Sequence, residues 1–139
     1  MRHFTPKEAN AELEHVRPLV EEMVEHRRAH VAALEQQEVL EGRIRGNGGG
    51  IPPATLADAT AAVEREARSL ARTVDAIAEH GAEVKDLDEG LVDFPALHRA
   101  ETVLLCWKLG EDEIAYWHRI EDGFAGRRPV EELDGPASK

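Results

Sequence analysis

The chain has 139 residues, with 28 acidic against 17 basic side chains and a formal net charge of −11 at pH 7. A chain of this length can form one domain with its own core, and its negative charge repels phosphate backbones and anionic lipid headgroups. Nucleic acids and membrane surfaces are therefore not expected partners.

The sequence has no apolar run approaching the roughly 18 residues of a membrane span, and its amino terminus leads directly into a helix signal. We therefore expect neither a membrane span nor a signal peptide. The single cysteine cannot form an intrachain disulfide, which agrees with a reducing compartment. These features predict a cytoplasmic protein.

The first predicted element is a long helix that starts at Thr5. Thr5 can cap the helix, Pro6 fits the first helical position, and Glu8 can bond back to the Thr5 amide as in a capping box. Pro18 should produce a modest bend near residues 14–16. Apolar residues follow with heptad spacing, and their face requires another helix: Ala9, Leu13, Val16, Val20, Met23 and, after a weaker stretch, Leu34.

A second helix is predicted after a flexible loop at 46–53, which contains glycines and two prolines. This helix should begin near Thr55, where Asp58 offers a weaker capping-box pattern, and end at Gly81. Its apolar residues also have heptad spacing: Leu56, Val63, Ala67, Leu70, Val74 and Ile77. We therefore predict an antiparallel helical hairpin over 5–80.

Short strands are predicted in the remainder of the chain, at 83–87, 91–94, 102–108 and 114–118. The fold class is therefore predicted to be α+β, with a long antiparallel helical hairpin followed by a small antiparallel β-meander packed on the hairpin base. Residues 1–129 form a single domain in this interpretation, in which 82–129 is the sheet and turn region. Residues 130–139 are predicted to be a disordered tail.

The register of the last hairpin depends on the turn after the third strand. If that turn is centred on Glu111, Cys106 lies opposite Tyr116 and diagonal to His118. Trp107 and Trp117 then point to the same face of the sheet. We expect this tryptophan face to pack against the helical hairpin.

Several short motifs of the carboxy-terminal third carry a family resemblance: Lys85-Asp86, Gly90-Leu91-Val92-Asp93-Phe94-Pro95, Leu105-Cys106-Trp107, Gly110-Glu111, Trp117-His118 and Gly123-Phe124-Ala125-Gly126-Arg127. Their order, with Phe4-Thr5 and Glu8-Ala9-Asn10 near the start, resembles the domain of unknown function family 2203. The resemblance spans Phe4 to Pro129. It implies a bacterial, cytosolic protein, and it implies no activity, because the family has no assigned reaction or catalytic residues to carry over.

One candidate metal site comprises Asp93, His98, Cys106 and His118, since thiolate, imidazole and carboxylate are ligands of zinc and iron. The spacing of these residues matches no established zinc finger or ribbon. The alternative interpretation is structural, with Cys106 as a small buried apolar residue and His118 as a hydrogen-bonded residue at a strand end.

A second candidate metal site lies on the first helix, where Glu22, His26 and His30 are spaced to share one face. In an antiparallel hairpin, Asp75 should pass close to His26 and complete a cluster. The alternative is that these side chains form solvated pairs along the helix or a polar layer that specifies register.

Two acidic residues of the first strand pair are candidates for ligand binding. Asp93 should face Lys85 across the hairpin, where a cross-strand ion pair is the structural interpretation. Asp86 should lie on the opposite face beside Val92 and Phe94, where apolar neighbours could perturb the pKa of its carboxyl group for acid or base work.

Two further ligand-binding candidates are Glu111 and Arg127. Glu111 lies in a turn and is expected to be exposed. The segment 123–128 could present backbone amides and guanidinium groups to a phosphate or carboxylate. The alternative is that its arginines balance the acidity of the protein itself.

Two functions from different classes are consistent with these patterns. The first is a non-enzymatic cytosolic interaction or scaffold protein that acts as a homodimer or higher homo-oligomer, because two helices alone cannot cover both sides of their apolar seams. Such a scaffold could also bind another protein. The second is a metal-binding or small-ligand-binding protein with a site around Asp93, Cys106, Glu111 and His118, in which His118 is a ligand or a proton-transfer group. Such a site could also belong to an enzyme, with a nuclease or hydrolase as a special case, but no nucleophile, base and orienting group can be paired in the sequence, so it predicts no particular reaction.

Overall fold

The computed structural model describes residues 2–47 and 50–133, which form two α-helices followed by a five-stranded antiparallel sheet. The helices are α1 (Pro6–Asn47) and α2 (Pro53–Glu79), and the strands are β1 (Glu83–Asp86), β2 (Leu91–His98), β3 (Glu101–Lys108), β4 (Tyr116–Arg119) and β5 (Arg128–Pro129). The strands are paired in the order β1-β2-β3-β4-β5, so the sheet is a meander. The two helices followed by this sheet confirm the predicted α+β architecture. Within the described ranges, neither helix is both long enough and apolar enough to cross a membrane.

The start of α1 has the predicted capping box. The Thr5 amide donates to Glu8 Oε1 at 2.9 Å, and the Glu8 amide donates to Thr5 Oγ1 at 3.1 Å. These two bonds satisfy backbone donors that have no partner inside the helix. The helix then continues through Pro18 to Asn47.

The start of α2 differs from its prediction. The helix begins at Pro53 with Pro52 as the N-cap and no side-chain cap bond, so the predicted capping box of Thr55 and Asp58 is wrong. Proline suits the first helical position because its φ is already helical and its missing N–H would have no partner there. Of the predicted flexible loop at 46–53, residues 48–49 lie outside the described residues.

The core lies between the base of the hairpin and the inner face of the sheet. Alternate residues of β2, β3 and β4 point towards the helices, and both tryptophans are fully buried among them. This confirms the predicted tryptophan face. The helical contribution comes from the heptad positions of the first half of α1 and the end of α2: Ala9, Leu13, Val16, Val20, Met23 and Ile77.

Strand β2 is longer than predicted and continues through Pro95 to His98. It turns directly into β3 through Arg99 and Ala100, which both have positive φ, of 54° and 68°. Beyond the end of β1, the Pro95 carbonyl accepts a hydrogen bond from the Phe4 amide at 2.7 Å. The amino-terminal segment therefore contacts the edge of β2 at a position where proline needs no ladder partner for its nitrogen.

A β-bulge between Val84 and Asp86 changes the predicted register of the first hairpin. Glu83, and not Lys85, is paired with Asp93, and Lys85 forms an ion pair with Glu83 at 3.0 Å. The predicted pairing of Lys85 with Asp93 is therefore wrong. Because side chains alternate along a strand, the extra residue of the bulge also moves the carboxyl group of Asp86 to the other face.

Residues 130–133, the first part of the predicted tail, contact the rest of the fold. Strand β5 pairs with β4, and the Val130 amide donates to the Ala115 carbonyl at 2.9 Å. Val130 and Leu133 pack against the core, so the first residues of the predicted tail are anchored by apolar contacts. Residues 134–139 of that tail lie outside the described residues.

Candidate metal centre

Three side chains of the sequence-predicted metal set meet on the outer face of the sheet, which points away from the helices. Asp93 on β2 is paired with Cys106 on β3, and His118 on β4 is paired with Leu104, the next residue of β3 on that face. One potential ligand atom from each of Asp93, Cys106 and His118 lies within 4.8 Å of the others. We call these three residues the outer-face cluster.

The outer-face cluster is buried although it lies opposite the main core. Asp93 is 1 % exposed, Cys106 is 0 % exposed and His118 is 4 % exposed. Pro95 and Leu104, which share this face, are also buried. Charged groups are costly to bury without a partner, so the polar atoms of the cluster require hydrogen bonds or a metal ion.

The hydrogen bonds of His118 determine which of its ring nitrogens can bind a cation. Nδ1 lies 2.8 Å from the Arg119 carbonyl oxygen, which only accepts hydrogen bonds, so Nδ1 carries the proton of the neutral ring. Nε2 then presents its lone pair, and it lies 3.3 Å from Asp93 Oδ2. Two acceptors at this distance need a positive group between them, either a proton or a metal ion. An Nδ1–H bonded to a carbonyl is also the arrangement that orients many metal-binding histidines.

Asp93 has one carboxylate oxygen, Oδ1, that is buried without a hydrogen-bond partner. Burial raises the pKa of Asp93. The charges of His118 and Lys85 and hydrogen bonds from Cys106 and His118 lower this pKa, but they do not cancel the rise. The carboxyl group therefore takes up a cation readily. A proton or a coordinated metal ion would relieve the cost of the buried charge.

The thiol of Cys106 is protonated at neutral pH. Burial, followed by the charge of Asp93, raises its pKa to about 12, and the neighbouring Arg127 only partly opposes this rise. Such a thiol is a poor nucleophile. It can still become a ligand, because a metal ion displaces the proton when it binds sulfur.

Glu111 and Arg127 form an ion pair beside the cluster, which we call the clasp. Nη1 and Nη2 of Arg127 donate to the two carboxylate oxygens of Glu111, each at 2.8 Å, and Nη2 also donates to the Cys106 carbonyl at 3.3 Å. Burial raises the pKa of Glu111, but bonds from Arg127 and the Lys108 amide, together with the charges of both side chains, lower it overall. Glu111 is therefore partly buried and ionised, whereas the sequence predicted an exposed residue. Arg127 is paired with Glu111 through its two terminal nitrogens, and its buried Nε has no hydrogen-bond partner.

The structure does not bring His98 or Asp86 to the outer-face cluster. His98 lies on the opposite face of the sheet, where its ring centroid is 4.6 Å from that of Trp117. Asp86 caps the β1–β2 turn, and its Oδ1 accepts the amides of Asp88 and Glu89 at 2.9 Å each. Asp86, the last residue of β1, thus orders the turn that follows it, and it is paired with Leu91 and not with Val92.

The helical candidate set is also arranged differently from its prediction. Nδ1 of His26 lies 3.2 Å from Oε1 of Glu66, while Asp75 is exposed. Glu22 and His26 line the same groove between the helices, and Nδ1 of His30 is buried without a hydrogen-bond partner. Among the described residues, the outer-face cluster is the only group of three or more His, Cys, Asp or Glu side chains whose ligand atoms lie close enough together to hold one metal ion.

Comparison with known families matches residues 2–130 to the family described as "Uncharacterized conserved protein (DUF2203)". No curated protein and no solved structure matches the chain. The family match establishes a relationship and assigns no ligand or reaction. The function must therefore be inferred from the geometry of the site.

Proposed function

We propose that this chain, which belongs to the family of uncharacterized conserved proteins DUF2203, binds a divalent metal ion at Asp93, Cys106 and His118. Zinc is the first candidate and ferrous iron the second, since both accept thiolate, imidazole and carboxylate ligands. The observation that supports this most directly is the convergence of the three ligand atoms within 4.8 Å of one another in a buried site.

The spacing of the ligand atoms is compatible with a tetrahedral ion. Zinc bonds to nitrogen, oxygen and sulfur separate neighbouring ligands by roughly 3.3–3.6 Å. The distance between His118 Nε2 and Asp93 Oδ2 is already 3.3 Å. The unpartnered Oδ1 of Asp93 offers a further lone pair. Small side-chain rotations would therefore suffice for coordination.

The position of the cluster supports a structural role for the ion. Its ligands belong to β2, β3 and β4, the three adjacent central strands of the meander. An ion at this position would cross-link these strands on the face that the helices do not cover. Three protein ligands leave one position of a four-coordinate ion for water or another small ligand. We further propose a cytoplasmic location, where a reducing environment would keep the free Cys106 thiol available as a ligand.

Metal analysis of protein purified without chelator tests the proposal. We expect one zinc or iron ion per chain by elemental mass spectrometry, and stoichiometric binding of Co²⁺ with a sulfur-to-metal charge-transfer band in the near ultraviolet. Cys106→Ser and His118→Ala should lose the band and the retained ion. His98→Gln is the matched control, because His98 is 6 % exposed but lies on the other face.

The competing outcome is a buried, proton-bridged pair of Asp93 and His118 with no metal affinity. Wild-type protein that retains no ion and gives no charge-transfer band with Co²⁺ would refute the proposal. A band that persists in Cys106→Ser would refute the assignment of Cys106 as a ligand.

A second proposed function is homo-oligomeric assembly through the far end of the hairpin, and a specific observation favours it. Between Glu25 and Arg72, Leu40 is the one buried residue in the described part of the chain. Leu34 and Val39 of the same helix are 40 % and 53 % exposed. The distal hairpin thus lacks a core of its own, and a second copy of the chain could cover it as in a helical bundle.

Native mass spectrometry of a Leu34→Asp, Val39→Asp double variant tests this second proposal. We expect a dimer or larger assembly for wild type and a monomer for the variant. Ile120→Asp is a suitable control, because Ile120 is 59 % exposed but lies near the sheet. Leu70 is unsuitable, since it packs against the main core and its replacement would affect folding. A monomeric wild type, or an unchanged mass in the double variant, would contradict the proposal.

A further inference from the structure

We infer that Arg127 is a positioning residue for the proposed metal centre and that, together with Glu111, it fixes Cys106 for metal binding. This inference rests on the proposed metal-binding function. It assigns a role to a residue outside the cluster, which contacts the Cys106 strand without being a metal ligand itself.

The guanidinium of Arg127 contacts two aromatic rings and the carboxylate of Glu111. Its central carbon lies 4.4 Å from the ring centroid of Tyr116 and 4.4 Å from that of Phe124. Its two terminal nitrogens form the fork to Glu111, each at 2.8 Å. Aromatic stacking and a bidentate carboxylate pair together restrict a long side chain that would otherwise sample many rotamers.

The held guanidinium lies against Cys106. Nη2 donates to the Cys106 carbonyl at 3.3 Å, so the arginine charge lies directly beside the residue that supplies the proposed sulfur ligand. A metal-bound cysteine is a thiolate, so a fixed positive charge at this position favours the bound form. Groups that hydrogen-bond to or orient metal ligands commonly contribute about 10–100-fold to metal affinity.

Glu111 is itself anchored to the rest of the fold. Its Oε1 accepts the Lys108 amide at 2.9 Å, and its backbone carbonyl accepts Trp107 Nε1 at 3.0 Å and Arg17 Nη1 at 3.1 Å. The clasp is therefore connected to β3, to the main core and to α1. It is positioned by the fold and does not depend on a flexible loop alone.

The turn that precedes Arg127 is tightly packed. A Cβ atom at Gly126 would lie 2.5 Å from Asp122 Cβ, so this position accepts no side chain without a shift of the backbone. The Gly126 amide donates to the Gly123 carbonyl at 3.0 Å. The tight turn directs the following arginine back across the outer face.

Co²⁺ titration of the full-length chain tests the inference in wild type, Arg127→Gln, Arg127→Lys and Glu111→Gln. We expect Co²⁺ affinity to fall about 10–100-fold in Arg127→Gln and Glu111→Gln. We also expect the charge-transfer band to shift in energy, because these substitutions remove or release the positive charge held beside Cys106. Arg127→Lys keeps the charge but loses the fork, so its affinity should be intermediate.

Arg128→Gln is the matched control. Arg128 is adjacent in sequence and exposed, and its guanidinium lies 5.7 Å from the Trp117 ring on the inner-face side of the strand. Its replacement should leave both the affinity and the band unchanged. The double variant Arg127→Gln, Glu111→Gln should bind no more weakly than either single variant, because both substitutions break the same clasp.

Wild-type affinity and an unshifted band in Arg127→Gln would overturn the inference while leaving the metal proposal intact. Absence of Co²⁺ binding by wild type would overturn the metal proposal, and the inference with it. Circular dichroism checks that the variants fold. If the glutamine variants do not fold, Arg127→Lys decides the question, and wild-type affinity in that variant overturns the inference.

Discussion

The Nε2 atom of His118 faces the Asp93 carboxylate across 3.3 Å in a site from which solvent is nearly excluded. The Nδ1–H group of His118 donates to the Arg119 carbonyl, so it is not available to donate to Asp93. In the absence of a metal ion, a proton must therefore bridge the two residues. Metal binding competes with that proton, and also with the proton of Cys106, so metal affinity should rise with pH.

The free energy of unfolding should decrease as the pH rises above about 9, because of Cys106. Its pKa is raised from an ordinary value of 9.0 to about 12, mainly by burial. The folded thiol therefore keeps its proton when the unfolded thiol has lost it. The stability that the buried thiol contributes is fully present below the pKa that Cys106 has in the unfolded chain. It is lost as the pH rises towards the pKa of Cys106 in the folded chain, by no more than about 1.4 kcal/mol per pH unit.

Urea unfolding of metal-free wild type and Cys106→Ala between about pH 8 and pH 10.5 measures this effect. All other ionisable side chains are common to both proteins, so the difference between them isolates the thiol. We expect the stability of wild type to fall more steeply than that of the alanine variant. Parallel pH profiles would contradict the assignment of the raised pKa to Cys106.

At the scale of single elements, the turn between β1 and β2 depends on Gly90. Gly90 has a φ of +72°, and a Cβ atom there would lie 2.8 Å from Leu109 Cβ and 3.0 Å from Val20 Cγ1. Gly90→Ala should lower the free energy of unfolding by roughly 2–4 kcal/mol, through backbone strain and overpacking together. Chemical denaturation measures the change.

Gly110→Ala separates these two effects. Gly110 has a φ of +106°, but a Cβ atom there would meet no atom within 4 Å from the described residues beyond its chain neighbours. Its replacement should therefore produce the backbone strain alone and a smaller loss of stability. Equal losses at Gly90 and Gly110 would show that the close approach to Val20 and Leu109 is unimportant.

The capping box at the start of α1 should contribute measurable stability. Thr5→Ala removes the side-chain oxygen that accepts the Glu8 amide, and we expect a loss of about 1 kcal/mol in denaturant unfolding. Thr55→Ala provides the comparison, because α2 has no side-chain cap bond. That variant should change stability little. A similar effect at both threonines would contradict the different starts of the two helices.

At the scale of the whole molecule, the proposed metal ion should stabilise the fold by binding only the folded chain. At free zinc of about 100 times the dissociation constant, the gain is about 2.7 kcal/mol. For a chain of this size, the thermal midpoint should rise by roughly 8–13 °C. Differential scanning fluorimetry with and without zinc measures the shift.

His118→Ala should abolish this thermal shift, while His98→Gln should retain it even if its starting midpoint is lower. The reason is that only His118 belongs to the outer-face cluster. An equal zinc shift in wild type and His118→Ala would indicate binding elsewhere on the chain. That result would remove the outer-face cluster as the stabilising site.

The molecule has two regions of different packing. The base of the hairpin shares its core with the sheet, whereas Leu40 is the only buried residue between Glu25 and Arg72 in the described part of the chain. The clasp lies at the base, where Arg17 of α1 donates to the carbonyl groups of Glu111 and Asp112 at 3.1 Å and 2.7 Å. The proposed metal centre therefore lies on the sheet, which packs on the base of the hairpin, and the proposed assembly surface lies at the distal end of the hairpin.

The amino-acid sequence by itself determined the features that depend on local pattern. Heptad spacing predicted both helices, the Thr5–Glu8 pair predicted the first capping box, and the spacing around Glu111 placed Cys106 opposite Tyr116. The sequence could also predict that Asp93, Cys106 and His118 converge, because strand alternation and the position of the turn determine which residues of β3 and β4 share a face of the sheet. These signals are periodic or short-range, so they survive without knowledge of the tertiary fold.

Only the tertiary structure decided the features that depend on register or on contacts between distant segments. The bulge at β1 reversed the face of Asp86, and the extension of β2 to His98 placed that histidine on the inner face. The partner of Arg127 could not be read from its own turn. A one-residue change of register moves a side chain to the other face of a sheet, and the clasp forms only when the chain brings Glu111 and Arg127 together in space.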